Sequence, residues 1–428
     1  MALANIEALA SVEGANINGK TMKMSKKWTS SILFGWVVVA GVIGCAEKEY
    51  GSTEEMFADL PRYALEEGQK LPMDLVGVFS TNFIVIGDYV VTLPYRSKYN
   101  LSIYDIHTGK LLKNAAYVGE GPDEYNLITC IESLNDSVFY IRTFNGKYHI
   151  AFYNLRHLQD EDIFRPFDAI DVLKVQRQEK DSTGSIRGSI SSPVVCTSDT
   201  TVIARGYTLG DEQKMFAVYR RSKGLPDYFV DYPIRSEQEE NMNPAIRLNM
   251  YQGCLAINDR GDRLFMTVDF ADMLGLFRME GDRLEVEKMY FFDPIERVVS
   301  GDRYAYSWEK TLNYYRDAAY HSDRFYALAE IEPHTLAETY RLEKEQLEAQ
   351  EQGGKGGVSR RILVFSQKGD PLYSLYLDVN PLRIDFSGDT LYVLCTNGEG
   401  DSEILSYNMR NMKPLEESSI LLAKRDRG

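Results

Sequence analysis

The chain is short of the residues that usually build small catalytic and metal centres. It has five histidines (His107, His149, His157, His321 and His334) and five cysteines in 428 residues. None falls into H-E-x-x-H, C-x-x-C or a pair at ligand spacing, so the common zinc and thiol-redox arrangements are not indicated. A G-x-S-x-G elbow is lacking, and "GGKGG" at 353–357 has neither the spacing nor the preceding strand of a phosphate-binding loop. The acidic string 398–403 ("GEGDSE") lacks the regular alternation of a calcium loop and reads as a solvated turn. Positive charge is also in deficit. Lys and Arg number 48 against 63 Asp and Glu, a net charge of −15 that argues against nucleic acid as a partner. On these absences no catalytic residue, metal site or cofactor is expected, and the chain is not expected to be an enzyme.

Long apolar runs are missing too. The longest, Ser31–Gly44, has 14 residues, whereas a helix needs about 20 to cross a bilayer. Its flanks are those of a signal peptide: Lys23, Lys26 and Lys27 precede it, and it ends at Val42-Ile43-Gly44-Cys45. That string resembles the lipobox of bacterial lipoproteins, which implies that Cys45 becomes the lipidated first residue of the mature chain. The partner so implied is a membrane, reached through an N-terminal lipid anchor. The implied location is the cell envelope, as an outer-membrane lipoprotein facing the periplasm or the surface. Glu47 and Glu49 resemble the acidic tract of surface-exposed lipoproteins. Upstream, Asn5–Ala10 resembles the signature of the NVEALA peptides, and residues 1–21 are left as an unassigned leader. The expected order is thus leader 1–21, signal peptide 22–44, anchor and linker 45–70, a body at 71–415 and a tail at 416–428. Removing residues 1–44 takes away four lysines and two glutamates and leaves a body of about −17. The remaining cysteines (Cys130, Cys196, Cys254 and Cys395) sit far apart in apolar, β-prone stretches and are expected as buried free thiols.

What the body does contain is a repeat. A turn dipeptide ending in aspartate precedes a β-prone run six times, at Asp88, Asp136, Asp199, Asp262, Asp323 and Asp389. An aliphatic run ending in an aromatic follows each, at Tyr104, Tyr153, Tyr219, Phe277, Phe365 and Tyr407, and leads through a polar turn to a further strand. Alternating runs on either side of such turns signal hairpins. A four-stranded sheet cannot bury both faces alone, and radial repetition gives each sheet two neighbours. The expected fold is all-β: a six-bladed β-propeller of four-stranded antiparallel blades. The aspartates would lead tight turns, and the aromatics would fill the gaps between blades. In the fifth unit the aspartate-to-aromatic interval is stretched by "HTLAETYRLEKEQLEAQEQ" (334–352), which is rich in helix formers and predicts one short helical insertion. "RFYALAEI" and "RRILVFS" should then pair directly across it.

From Leu71 to Met409 the chain resembles the TolB-like six-bladed propeller lipoproteins of gut Gram-negative bacteria. The sharpest shared string is Gly119-Glu120-Gly121-Pro122-Asp123-Glu124-Tyr125, similar to that family's G-x-G-P-x-E-[YF]. Gly119, Gly121, Pro122 and Glu124 read as a structural turn: glycines free to take positive φ, a stiffening proline and a carboxylate for freed backbone donors. The resemblance implies no enzymatic activity.

Links between second and third strands open on one face of a propeller, and loops on a rigid scaffold often carry binding residues. Tyr95, Tyr99, Phe144, Tyr207 and Phe270 lie in or beside these links and are the candidate binding residues. The expected function is a membrane-anchored binding module for a protein, peptide or glycan, acting as a monomer. The competing reading is a propeller hydrolase or lyase with a divalent metal in the central channel.

Overall fold

The structure is a computed structural model. It describes residues 50–415 apart from 76–79, 96, 122–123, 145–147, 160–163, 172–187, 209–213, 234–239, 241–243, 293–296, 301–302, 307–308, 343–359 and 398–400. The leader, the signal segment with Cys45, and the tail lie outside the described residues.

The body is a six-bladed β-propeller. Two short strands come first, β1 (Arg62–Leu65) and β2 (Gln69–Lys70). Blade one follows as β3 (Ser80–Ile86), β4 (Tyr89–Pro94), β5 (Tyr99–Asp105) and β6 (Leu111–Tyr117). Blade two is β7 (Leu127–Ser133), β8 (Val138–Phe144), β9 (Tyr148–Asn154) and β10 (Asp168–Asp171). Blade three is β11 (Gly188–Ser198), β12 (Thr201–Thr208), β13 (Lys214–Arg220) and β14 (Pro226–Asp231). Blade four is β15 (Leu255–Ile257), β16 (Arg263–Thr267), β17 (Met273–Glu280) and β18 (Arg283–Phe291). A separate hairpin, β19 (Arg297–Ser300) and β20 (Arg303–Tyr306), leads to blade five: β21 (Leu312–His321), β22 (Arg324–Thr335), β23 (Arg360–Ser366) and β24 (Pro371–Leu377). Blade six has β25 (Arg383–Ser387), β26 (Thr390–Thr396) and β27 (Ser402–Asn408), and β28 (Lys413–Pro414) ends the series.

The repeat aspartates stand in the turns between first and second strands, as expected. Gly388 takes φ +56° beside Asp389, and Ser322 and Asp323 adopt positive φ themselves at 47° and 63°. The carbonyls of Asp88, Asp262 and Asp389 accept the amides of Ile106, Met279 and Met409 at 2.8–2.9 Å, pinning each turn to the end of its third strand. The aromatics fill the gaps between blades. Six apolar clusters occupy the six gaps, and each holds one repeat aromatic. Tyr104 lies between blades six and one, Tyr153 between one and two, and Tyr219 between two and three. Phe277 lies between three and four, Phe365 between four and five, and Tyr407 between five and six. In the fifth blade Arg324↔Ser366 through Glu330↔Arg360 pair directly across the insertion. The four cysteines are free thiols, three of them buried.

Closure differs from the expectation. The sixth repeat predicted an outer strand after Asn408, but Lys413–Pro414 pairs instead with Ala64 and Tyr63 of β1. The outer strand of blade six is β2, from the other end of the chain, with Gln69↔Ser406 and Lys70↔Leu405. A short helical turn at Met409–Asn411, capped by the Asn408 side chain, diverts the chain, and Pro414 has no N–H for a further rung.

The described part of the 45–70 linker is therefore built into the body. Its helix α1 (Thr53–Ala58) is capped by Ser52 and buries Thr53, Met56 and Phe57. Phe57 meets Phe365 edge-on at 5.3 Å in the gap between blades four and five. Next, β1 runs parallel to β24 and extends blade five to six strands. Among the described residues, no helix is long and apolar enough to cross a membrane.

Candidate functional site at the channel mouth

Antiparallel order places the second-to-third links and the links between blades on one face, here termed the loop face. The expected aromatics do not form one surface there. Tyr95 is 40% exposed. Tyr99 is half-buried and packs on Tyr117 at 4.7 Å between centroids, with Lys98 Nζ 5.8 Å from its ring. Phe270 is drawn into the gap between blades three and four. Phe144 and Tyr207 have paired backbones in β8 and β12, and their side chains lie outside the described residues. Four of the nine exposed large apolar residues among those described, Tyr95, Tyr117, Val118 and Leu127, lie on loop-face links and strand ends of blades one and two.

The turn motif braces these links. The Gly121 amide donates to Glu124 Oε2 at 2.9 Å, Tyr125 N to the Tyr117 carbonyl at 2.7 Å, and Asn100 Nδ2 to the Tyr125 carbonyl at 2.8 Å. Glu124 thus accepts a backbone donor, as expected. The glycines serve a different purpose from the one expected. Neither Gly119 nor Gly121 has positive φ, and a Cβ on Gly119 would fall 2.1 Å from Glu124 Oε2. They make room for the carboxylate. Pro122 lies outside the described residues.

A second assembly lies around the channel, where first strands of adjacent blades are stitched together by carboxylates. Asp317 of β21 accepts the Ile384 amide of β25 at 2.9 Å. Asp385 of β25 accepts the Val85 amide of β3 at 2.6 Å. Arg383 Nη1 lies 3.6 Å from Asp317 Oδ1 and also donates to the Arg316 carbonyl. Glu330, fully buried, receives Arg316 Nε and Arg360 Nε at 3.2 Å each.

Asp269, in the link after β16, donates its amide to the Gln252 carbonyl at 2.8 Å, and its own carbonyl accepts Tyr314 N at 2.9 Å. Its Oδ1 is buried and without a hydrogen-bond partner. Arg205 of β12 is wholly buried, with the Phe216 and Tyr232 rings 5.8 and 6.0 Å from its central carbon, and its Nη1 donates to the Tyr251 carbonyl.

These groups share one electrostatic space. Burial pushes the Asp269 carboxyl up to about 7, against the pull of Arg316, Arg383 and Arg205. Burial likewise takes Asp385 to about 7, although the Val85 and Phe386 amides favour its ionised form. Glu132 of β7 is pushed well above the usual carboxylate range by burial, and then by the charges of Asp317 and Asp385. Burial works against the Arg383 charge, but Asp317, Cys254, Asp269 and Glu132 outweigh it and raise its pKa. Acids and guanidinium groups alternate, which suits polar ligands better than a bare cation. Among the described residues no three His, Cys, Asp or Glu side chains come together as metal ligands.

The sequence reading missed this assembly. Its signal was the charge inside first and second strands that otherwise read as apolar, in "YRDAAY", "RIDFS" and "VIARGY".

No family model and no curated protein matches the sequence. Among solved structures, a Bacteroides fragilis protein described as exported is 12% identical, with a TM-score of 0.44, covering 83% of this chain and 100% of that one. BamB from Moraxella catarrhalis is 11% identical, with a TM-score of 0.32 over 76% of this chain and 71% of its own. A luciferin-regenerating enzyme is 10% identical, with a TM-score of 0.39 over 84% and 95%.

Proposed function

We propose that the chain is an envelope lipoprotein, anchored through Cys45, whose propeller holds a protein, peptide or glycan partner on its loop face. The TolB-like resemblance of the body belongs to this reading. The observation that carries it is the exposed set of Tyr95, Tyr117, Val118 and Leu127, fixed by the Gly119–Glu124 turn beside the channel mouth. Aromatic bodies with polar tips, held rigidly, bind at low entropic cost. A photo-crosslinking residue at Leu127 should capture a discrete partner in intact cells, and one at Lys110, on the opposite face, should not. Equal capture from both faces would remove the assignment. Cys45→Ala should leave the precursor uncleaved or release the protein from membranes.

A propeller hydrolase or lyase is the competing reading. The raised carboxyls of Asp269 and Asp385 favour it, because acids near neutrality suit proton transfer. A stoichiometric divalent metal in purified protein, removed only by chelation, would choose this alternative.

A further inference from the structure

The loop-face reading leaves one group unexplained. Arg205 is fully buried, and only its Nη1 is engaged, by the Tyr251 carbonyl and, at 3.5 Å, by Met266 Sδ. Its Nε and Nη2 have no hydrogen-bond partner. These two N–H groups form the side edge of the guanidinium, the fork that matches two oxygens of a carboxylate. The Phe216 and Tyr232 rings lie 5.8 and 6.0 Å from its central carbon, within cation–π range. A second buried guanidinium, Arg247 of α2 (Pro244–Met250), lies 5.7 Å from the same Tyr232 ring and donates through Nη2 to the Glu240 carbonyl. Asp269 is near enough to feel the Arg205 charge, but among the described residues no carboxylate is bonded to the guanidinium, and a buried guanidinium is normally paired in that way.

We propose that Arg205 anchors a site for a ligand carboxylate at the loop-face end of the gap between blades three and four. The carboxylate takes the unpartnered Nε–Nη2 edge, with Phe216 and Tyr232 within 6.0 Å of the guanidinium carbon. Asp269 fixes the second requirement. Its amide binds the Gln252 carbonyl, next in sequence to the Tyr251 carbonyl that holds Arg205, so the two side chains belong to one small region. The buried Oδ1 of Asp269 is an open acceptor. A hydroxyl, ammonium or amide N–H beside the carboxylate satisfies it, whereas a dianionic phosphate would be repelled. The class is therefore a hydroxy or amino acid, free or at the end of a longer chain. This inference deepens the binding reading and places part of the partner's chemistry inside the mouth.

The test is ligand-observed NMR and calorimetry on the full chain, with lactate, lactate methyl ester, acetate, and tetra-alanine bearing a free or an amidated C-terminus. Lactate should bind, its ester should not, and acetate should be weaker because it leaves Asp269 open. Tighter binding of the free-ended peptide than of lactate would assign the carboxylate to a chain end, and the reverse order to a small acid. Arg205→Lys should weaken binding at least tenfold, because an ammonium lacks the fork, and Arg205→Met should abolish it with the circular dichroism unchanged. Should Arg205→Met fail to fold, the acid and ester pair on the unmodified protein decides. Failure of every carboxylate to bind, equal binding of acid and ester, or unchanged binding by a folded Arg205→Met would overturn the proposal. Crosslinking at Leu127 is independent of these results, so either idea can fail alone.

Discussion

Blade four and the closing seam, formed by β1, β2 and β28 on blades five and six, solve one problem in opposite ways. Blade four takes its four strands in succession from residues 255–291, so every pairing is local. At the seam, blade six borrows its outer strand from residues 69–70, and blade five gains β1 and β28 from the two ends of the chain. A ring made only of local blades could open between blades six and one, but here β2, which leads directly into blade one, is paired to β27 of blade six. Opening that gap requires breaking strand pairings as well as an apolar contact. The comparison teaches that the repeat supplies the blades, while residues outside the repeat hold them in a circle.

The sharpest way to break the contrast is to remove the closing segment. Deletion of residues 50–70 should abolish cooperative thermal unfolding, because it uncovers two gaps and strips an edge from blade six. Phe57→Ala should cost about 3–5 kcal/mol in denaturant unfolding, the usual loss for a buried ring. Next in size is Asp272, whose carboxylate accepts the Thr53 amide at 2.9 Å, Thr53 Oγ1 at 2.5 Å and Tyr315 OH at 2.8 Å. Asp272→Ala leaves these buried donors without their acceptor and should cost about 2–4 kcal/mol.

The fourth effect is a pH slope of roughly 1–3 kcal/mol. Asp269 and Asp385 have folded pKa values of about 7, above the unfolded value near 4. Between these values the native state binds more protons than the unfolded state. Their contribution is therefore full below about pH 4 and is lost as pH rises through 7. Stability should fall from pH 5 to pH 8, and Asp385→Asn should flatten the slope. Replacing 343–358 with a short Gly-containing turn, which keeps Thr339 on the Asn313 amide, should change stability by less than about 1 kcal/mol, since closure cost varies slowly with loop length. Partner capture should be lost if that arm takes part in docking. Smallest of all, Val286→Lys on the exposed edge of blade four should stay within about 0.5 kcal/mol.

The same contrast separates what was legible in the sequence from what was not. All six blades could be read because each carries a turn aspartate and a gap-filling aromatic, and both serve local geometry. The pairs β1–β24 and β2–β27 could not. Four and two residues are too few to show a period, and "RYAL" becomes a strand only against Ser374–Leu377. The candidate aromatics followed exposure rules that hold for Tyr95, whereas Phe270 turned inward to the gap between blades three and four. Arg205 was hidden for a deeper reason. A lone arginine in an apolar strand reads as pointing to solvent, and only packing shows that it is buried beside aromatic rings.

The borrowed strand also sets an order of events. Gln69 and Lys70 are made more than three hundred residues before Ser406 and Leu405, their partners. A chain emerging from its N-terminus must therefore carry an unpaired segment, with the apolar face of α1 exposed, until nearly all of the remainder has followed. Blades one to four have their strands available along the way, but the circle cannot close before the end. Pairings of such separation are slow to form, so the last folding step should be closure of the seam, and proteolysis during refolding should cut residues 50–70 for longer than any part of blade four.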